Sequence, residues 1–295
     1  MSKILAIDLG RGYVKGKTLE KEFKFISLID QAVPLTIYQK LEGDMVLEEE
    51  DGSSYFVGDL AFRDGKGLKR KPTTDAKATD DTMRLFYAGL YRAGIKSGPV
   101  TIMTGVPKSN IETGDHQNLK SRIEGAHRFK INGEQCEVHV VRCFVTVEGG
   151  IIYNYLQSMN MVPDNAKKVR VIDPGAYTTN FATYTRNLDG KWIYSNGESG
   201  TIARGWENDG SGSEDVEVNP TQLADMLASN LQRTWTKNND FPTFLAGGGA
   251  TKLEEPMKKY FPQIHAITDS QMSNVRGYFT ELKKSVNPSR GAIRY

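Results

Sequence analysis

Two segments of this chain repeat each other. Ala6-Ile7-Asp8-Leu9-Gly10-Arg11-Gly12-Tyr13-Val14-Lys15 and Val171-Ile172-Asp173-Pro174-Gly175-Ala176-Tyr177-Thr178-Thr179-Asn180 both run from an apolar strand to an Asp, through a glycine turn, and into a second strand. Asp173 stands 165 positions after Asp8. The surroundings repeat as well. Alternating and apolar runs predict strands over 3–9, 13–19 and 22–28, and again over 168–173, 177–185 and 191–195. A chain of 295 residues with two such meanders is constrained to an α/β architecture of two related halves.

Further elements follow from periodicity and capping. Strands are predicted over 44–49, 53–57, 99–104, 128–131, 134–146 and 242–246. Helices are expected from Thr79 or Asp80 to about 93, over 108–124, from Glu148 to about 158, from Pro220 to about 236, over 250–260 and over 273–284. A helix is also expected to begin near Gly200. The alternation through 135–145 places Cys136 and Cys143 on opposite faces of one strand. Their spacing matches no zinc pattern, so both are read as packing thiols of a reducing compartment.

The repeated turns suit a polyphosphate. Glycines at Gly10, Gly12 and Gly175 let backbone N–H groups approach anionic oxygens with no Cβ in the way. Ala176, Tyr177 and Thr178 complete the second turn, and Thr178 or Thr179 can add a hydroxyl. Arg11 and Lys15 are candidate phosphate contacts that solvent would satisfy equally well. An Asp cannot itself accept phosphate charge, so Asp8 and Asp173 imply a divalent cation, for which Mg²⁺ held by carboxylate and phosphate oxygens is the expected case. A third junction, Phe244-Leu-Ala-Gly247-Gly248-Gly249-Ala250, leads a strand into a helix where a nucleoside can lie against bare backbone. Neither GxxxxGK[ST] nor a strand–GxGxxG–helix unit occurs, so the P-loop and dinucleotide-fold readings lack their own signals.

Composition narrows the partners. Net charge is +2, which supplies no bulk field for nucleic acid, and no direct nucleic-acid binding is expected. The apolar run at 4–7 soon meets Asp8 and Arg11, too short for a signal peptide or a span, so a cytoplasmic protein without membrane attachment is expected. His116, His127, His139 and His265 share no ligand-like spacing and are read as surface or satisfied core residues.

The motifs at 7–15, 172–179 and 244–250 are similar to those of the actin/sugar-kinase/heat-shock ATPase superfamily. Within it the chain resembles the bacterial plasmid-segregation actins of the ParM and AlfA type, through Met103-Thr-Gly105-Val-Pro107 and Asp269-Ser-Gln-Met-Ser-Asn-Val-Arg-Gly277-Tyr278. The resemblance implies an actin-like, ribonuclease H-like bilobed fold with two related halves around a nucleotide cleft. The first lobe would span 1–158 with a small insertion at about 30–72. The second would span 159–275 with a reduced insertion at about 207–219, and 276–295 would return to the first lobe. It implies a filament-forming ATPase, with GTP as the alternative nucleotide, that binds Mg²⁺, polymerises with itself and segregates plasmid DNA through a DNA-binding adaptor at a centromere-like site. Glu148, together with Asp173, takes the catalytic position, Glu148 orienting the attacking water. Pro174 and Tyr177 depart from the family pattern and stiffen or crowd the second turn. A small-molecule kinase of the same fold and a non-polymerising nucleotide sensor are the competing functions. The basic loop 66–71 and the tail 290–295 are read as solvated charge.

Overall fold

The computed structural model describes residues 3–65, 77–207, 218–235 and 241–286. The basic loop 66–71, residues 208–217 of the acidic stretch and the tail 290–295 therefore lie outside the described residues. The chain divides into two compact units, one of residues 1–106 and 112–146, the other of 107–111 and 147–295.

The first unit opens with an antiparallel meander of β1 (Lys3–Leu9), β2 (Tyr13–Lys17) and β3 (Glu22–Ile26). Three short strands, β4 (Ile29–Gln31), β5 (Met45–Glu48) and β6 (Ser54–Val57), then lead into α1 (Asp59–Asp64). Helix α2 (Asp80–Arg92) starts at Thr79, whose side chain accepts from the Thr82 N–H. Its buried face carries Met83, Leu85, Phe86 and Leu90, and Gly89 lets it close on the sheet, since a Cβ there would stand 2.4 Å from Ile7 Cδ1. Strand β7 (Ser97–Val106) lies parallel to β1. The predicted single helix 108–124 is two, α3 (Lys108–Glu112) and α4 (Asp115–Ile123), because Gly114 adopts a left-handed conformation with φ 81°. Strands β8 (Gly125–Ile131) and β9 (Glu134–Val147) complete a nine-stranded sheet ordered β3-β2-β1-β7-β9-β8-β5-β6-β4. Alternation along β9 breaks at the exposed pair Val141–Arg142, which shifts the phase by one residue and buries both cysteines, where strict alternation would have put them on opposite faces. Burial pushes the Cys143 thiol up to about 12, which keeps it protonated and inert.

The second unit rebuilds the same core. After α5 (Ile152–Ser158), β10 (Lys168–Pro174), β11 (Thr179–Arg186) and β12 (Trp192–Tyr194) form an antiparallel meander. Where a helix is expected near Gly200, β13 (Gly200–Ile202) instead pairs with β11. The ring of Phe181 fills the space over Gly200, and the β-branched Thr201 and Ile202 suit a strand, so tertiary packing overrides the helical signal. Helix α6 (Pro220–Thr234) is capped by Asn219, and β14 (Thr243–Leu245) runs parallel to β10 before α7 (Ala250–Lys258). Strand β15 (Ile264–Ala266) and α8 (Ser273–Val286) close the unit, whose sheet is ordered β12-β11-β10-β14-β15. In both units, then, a meander is followed by a strand parallel to its first member. Leu223, Leu227, Leu231, Trp235, Leu253 and Phe261 supply the core under α6 and α7. Arg170 is fully buried there, its guanidinium 4.5 Å from the Trp235 ring centroid, and burial lowers its pKa to about 10.

The units divide elsewhere than the expected 1–158 and 159–275. Residues from Val147 onward, including α5 and α8, group in the second unit. The cause is close packing between those helices. A Cβ on Gly277 would stand 2.5 Å from the Ile151 carbonyl oxygen, and buried Asn154 donates to Glu281 at 3.0 Å.

Candidate functional site

The two hairpins share one geometry. In the first, Asp8 faces Lys15 and Leu9 faces Val14, leaving a four-residue loop from Gly10 to Tyr13. In the second, Asp173 faces Asn180 and Pro174 faces Thr179, leaving the loop from Gly175 to Thr178. A Cβ on Gly10 would meet the Tyr13 carbonyl oxygen at 2.7 Å, and one on Gly175 would meet that of Thr178 at 3.1 Å. Glycine opens both loops because the hairpin closes on it.

In both hairpins carbonyl oxygens are bonded back into their own unit. Ser27 donates through its N–H to Gly12 at 3.0 Å and through its hydroxyl to Gly10 at 2.5 Å. In the second hairpin the N–H groups of Trp206 and Glu207 donate to Gly175 at 3.0 Å and Ala176 at 2.6 Å. Turning the oxygens inward removes the groups that would repel an anion at the loop. Lys77, buried beside the first hairpin, donates to the Leu9 carbonyl at 3.1 Å. Nothing in the local spacing around Lys77 marks it in the sequence.

The two aspartates differ in their partners. Asp8 is buried and paired with Lys15 at 2.9 Å, so Lys15 serves the carboxylate rather than standing in solvent. Asp173, also buried, accepts from Asn274 Nδ2 at 2.7 Å, and Asn274 Oδ1 accepts the Gly149 N–H at 3.0 Å. Asn180, at the position equivalent to Lys15, donates to Glu148 Oε2 at 3.2 Å and accepts from Thr201 at 2.8 Å. Glu148 lies in a turn rather than a helix, because Gly149 takes φ 74° and α5 starts at Ile152. A Cβ on Gly149 would stand 2.9 Å from Asn180 Cβ, so the turn is pressed onto β11. Glu148, Asp173, Asn180 and Asn274 thus form one buried polar cluster at the head of the second unit's sheet.

Of the two candidate hydroxyls, Thr179 donates to the Arg204 carbonyl at 2.8 Å and is fully buried, which leaves Thr178 in the loop. Arg11 and Tyr177 are half-buried in their loops, and Tyr13 has the Lys24 ammonium 5.7 Å from its ring centroid. The triple glycine joins β14 to α7 against the second hairpin. Gly247 has φ 74°, and a Cβ there would meet the Pro174 carbonyl oxygen at 2.6 Å and Asp173 Oδ1 at 2.7 Å. Ser270 holds this turn, its hydroxyl donating to Gly247 at 2.7 Å and its carbonyl accepting the Gly247 N–H at 3.0 Å. Gly248 faces Gln271, and Gly249 lies under the indole of Trp206. Among the described residues no group of three or more His, Cys, Asp and Glu side chains is placed to hold a metal.

Residues 6–150 match the family of actin-like protein N-terminal domains. The fold is actin-like. The archaeal actin homolog Ta0583 in complex with ADP is 17% identical, with a TM-score of 0.77 over 96% of this chain and 99% of that one. A 15-stranded ParM filament from Clostridium botulinum gives 18% identity and a TM-score of 0.76, covering 95% and 99%. An AlfA filament bound to AMPPNP gives 18% and 0.72, covering 98% and 99%. No curated protein matches the chain by sequence. The actin-like fold therefore spans nearly the whole chain while identity stays low. Among the described residues no helix is long and apolar enough to cross a membrane. Asn180 and Asn274, which tie the acidic cluster together, were not singled out by sequence. The signal existed for one of them, since Asn180 occupies in the repeat the place of Lys15.

Proposed function

We propose that this actin-like protein binds ATP, or GTP, polymerises with copies of itself and hydrolyses the nucleotide, and that the polymer moves plasmid DNA through a DNA-binding adaptor. The observation that carries the reading is the duplicated hairpin, whose carbonyls are tied inward in both units. Gly10, Arg11, Gly12 and Tyr13 of one hairpin, and Ala176, Tyr177 and Thr178 of the other, then present backbone N–H groups to phosphate oxygens, while the Gly175 N–H closes its own turn on the Thr178 carbonyl at 2.8 Å. The Gly247–Gly249 turn at the start of α7 takes the nucleoside. The solved relatives support this, one carrying ADP and another AMPPNP within a filament.

The donor set suits a hard cation that arrives on phosphates. Each unit buries one such aspartate, and Mg²⁺, which keeps most of its waters and leans on one or two carboxylates, suits ligands of this kind. Asp173 would hold it in the second unit, and Asp8, now paired with Lys15, is the corresponding candidate in the first. When bound, the ion neutralises charge on the transferring phosphoryl group. Glu148, held by Asn180, orients the attacking water, and the fixed turn at Gly149 limits its motion.

The test is light scattering with pelleting of the purified protein in Mg²⁺, comparing no nucleotide, ATP, GTP and AMPPNP. The expected result is a rise with ATP or GTP that decays as phosphate is released, and a rise with AMPPNP that persists. Nucleotide binding with no rise at any protein concentration would turn the assignment toward a kinase or a nucleotide sensor. Pulldown on plasmid DNA with and without the cognate adaptor then tests the segregation step.

A further inference from the structure

Trp206 packs, partly buried, against the core under α6 and α7, and two further contacts set it apart from a packing residue. Its backbone N–H is bonded to the second hairpin, and its neighbour Gly205 is pressed so close that a Cβ there would stand 2.5 Å from the Gly175 carbonyl oxygen. The segment is therefore fixed to the loop that faces phosphate. From that anchor the indole reaches across to the triple-glycine turn. A Cβ on Gly249 would overlap it, 1.4 Å from Nε1 and 1.7 Å from Cε2. Trp206 thus joins both pieces of backbone that a nucleotide of the proposed kind must contact in this unit, its main chain bonded to the phosphate loop and its indole lying on the nucleoside turn. Lys252, on the first turn of α7, places its ammonium 5.8 Å from the ring centroid.

Second, the indole Nε1–H is buried with no hydrogen-bond partner among the described residues. A buried donor left without an acceptor costs on the order of 1–3 kcal/mol, and native structures rarely keep one for packing alone. The other two tryptophans contrast with it. Trp235 is fully buried and donates to the Glu198 carbonyl at 2.9 Å, and Trp192 stands on an edge strand beside Tyr153 and Arg186.

We propose that Trp206 is part of the nucleoside-binding surface, its ring stacking on the purine and its Nε1–H finding on the nucleoside the acceptor that the protein does not supply. The inference rests on the nucleotide reading above and deepens it. Stacking on an indole is indifferent to which purine is present, so the residue adds affinity for ATP and GTP alike and discriminates little between them. It also makes the protein's own fluorescence a reporter of occupancy.

The experiment uses the full chain and titrates ADP, GDP and inorganic tripolyphosphate by calorimetry into the wild type, Trp206→Ala and Trp206→Phe. Trp206→Ala is expected to weaken ADP and GDP about tenfold or more, in line with the loss of one base-stacking ring, and to leave tripolyphosphate unchanged. Trp206→Phe keeps a ring but no donor and should fall between the two. The change in intrinsic fluorescence on adding ADP is expected to vanish in Trp206→Phe, although Trp192 and Trp235 remain. Wild-type ADP affinity in both variants, or an undiminished fluorescence response in Trp206→Phe, would overturn the proposal while leaving nucleotide binding intact. If Trp206→Ala gives no cooperative melt, Trp206→Phe decides alone. Failure of the wild type to take up any of the three probes would remove the nucleotide reading itself, and this inference with it.

Discussion

Asp8 and Asp173 hold the same place in two copies of one hairpin and are treated differently by their neighbours. Asp8 meets a cation from the facing strand, whereas Asp173 meets an amide from a helix 101 residues further along. A neutral donor steadies a carboxylate without cancelling its charge, which suits the aspartate that is to meet a cation first. Asn274→Ala would strip the donor from Asp173 and the acceptor from the Gly149 N–H together. We expect a loss of about 2 kcal/mol in urea melts, typical of buried polar groups left without partners. We also expect slower single-turnover hydrolysis, with ADP affinity kept within about threefold, a change under 1 kcal/mol. Wild-type single-turnover rates in that variant would confine Asn274 to folding.

Elements meet here through absent side chains. Three of the close approaches in the second unit, at Gly205, Gly247 and Gly277, bring a would-be Cβ within 2.6 Å of a backbone oxygen. Gly247 also has a positive φ, so Gly247→Ala combines left-handed strain of about 1–2 kcal/mol with a backbone clash, and a total near 3 kcal/mol is expected. A urea midpoint within error of wild type would show that β10 and β14 tolerate separation at their ends. In the first unit, α2 and β8 meet at His127. Its Nε2–H donates to the Ile123 carbonyl at 2.7 Å, and burial holds its pKa below the ordinary 6.5. The folded state therefore keeps the imidazole neutral while the unfolded chain takes up a proton, so stability is full above pH 6.5 and falls as pH drops below it. His127→Gln keeps a donor without the titration, and its melting temperature should fall less between pH 7 and pH 5 than that of the wild type. Parallel slopes would exclude His127 as a source of acid sensitivity.

For the molecule as a whole, saturating ADP should raise stability by mass action, about 2.7 kcal/mol at a hundredfold excess over Kd. A melting temperature indifferent to ADP, GDP and their triphosphates would contradict the proposed function. The internal repeat is what made the fold legible. An Asp, a glycine loop and a return strand occur twice at fixed spacing, and the two hairpins share the register of Asp8 with Lys15 and Asp173 with Asn180. Local pattern also located most helices, because caps such as Thr79 and Asn219 mark their own starts. What sequence could not supply were partners set by tertiary approach. Asn274 reaches Asp173 from another element, and Trp206 explains Gly249 from 43 positions away. The helix expected near Gly200 failed for the same reason, since an open edge of β11 decided that segment.

The bond from Asn274 to Asp173 has a consequence for how the protein is made. Synthesis runs from the N-terminus, so the meander holding Asp173, and the turn holding Glu148, leave the ribosome long before the helix that fixes them both. Gly149 waits 125 residues for its partner. A nascent chain therefore carries Asp173 unclasped through 101 further residues of synthesis, and the cluster closes only once α8 has emerged.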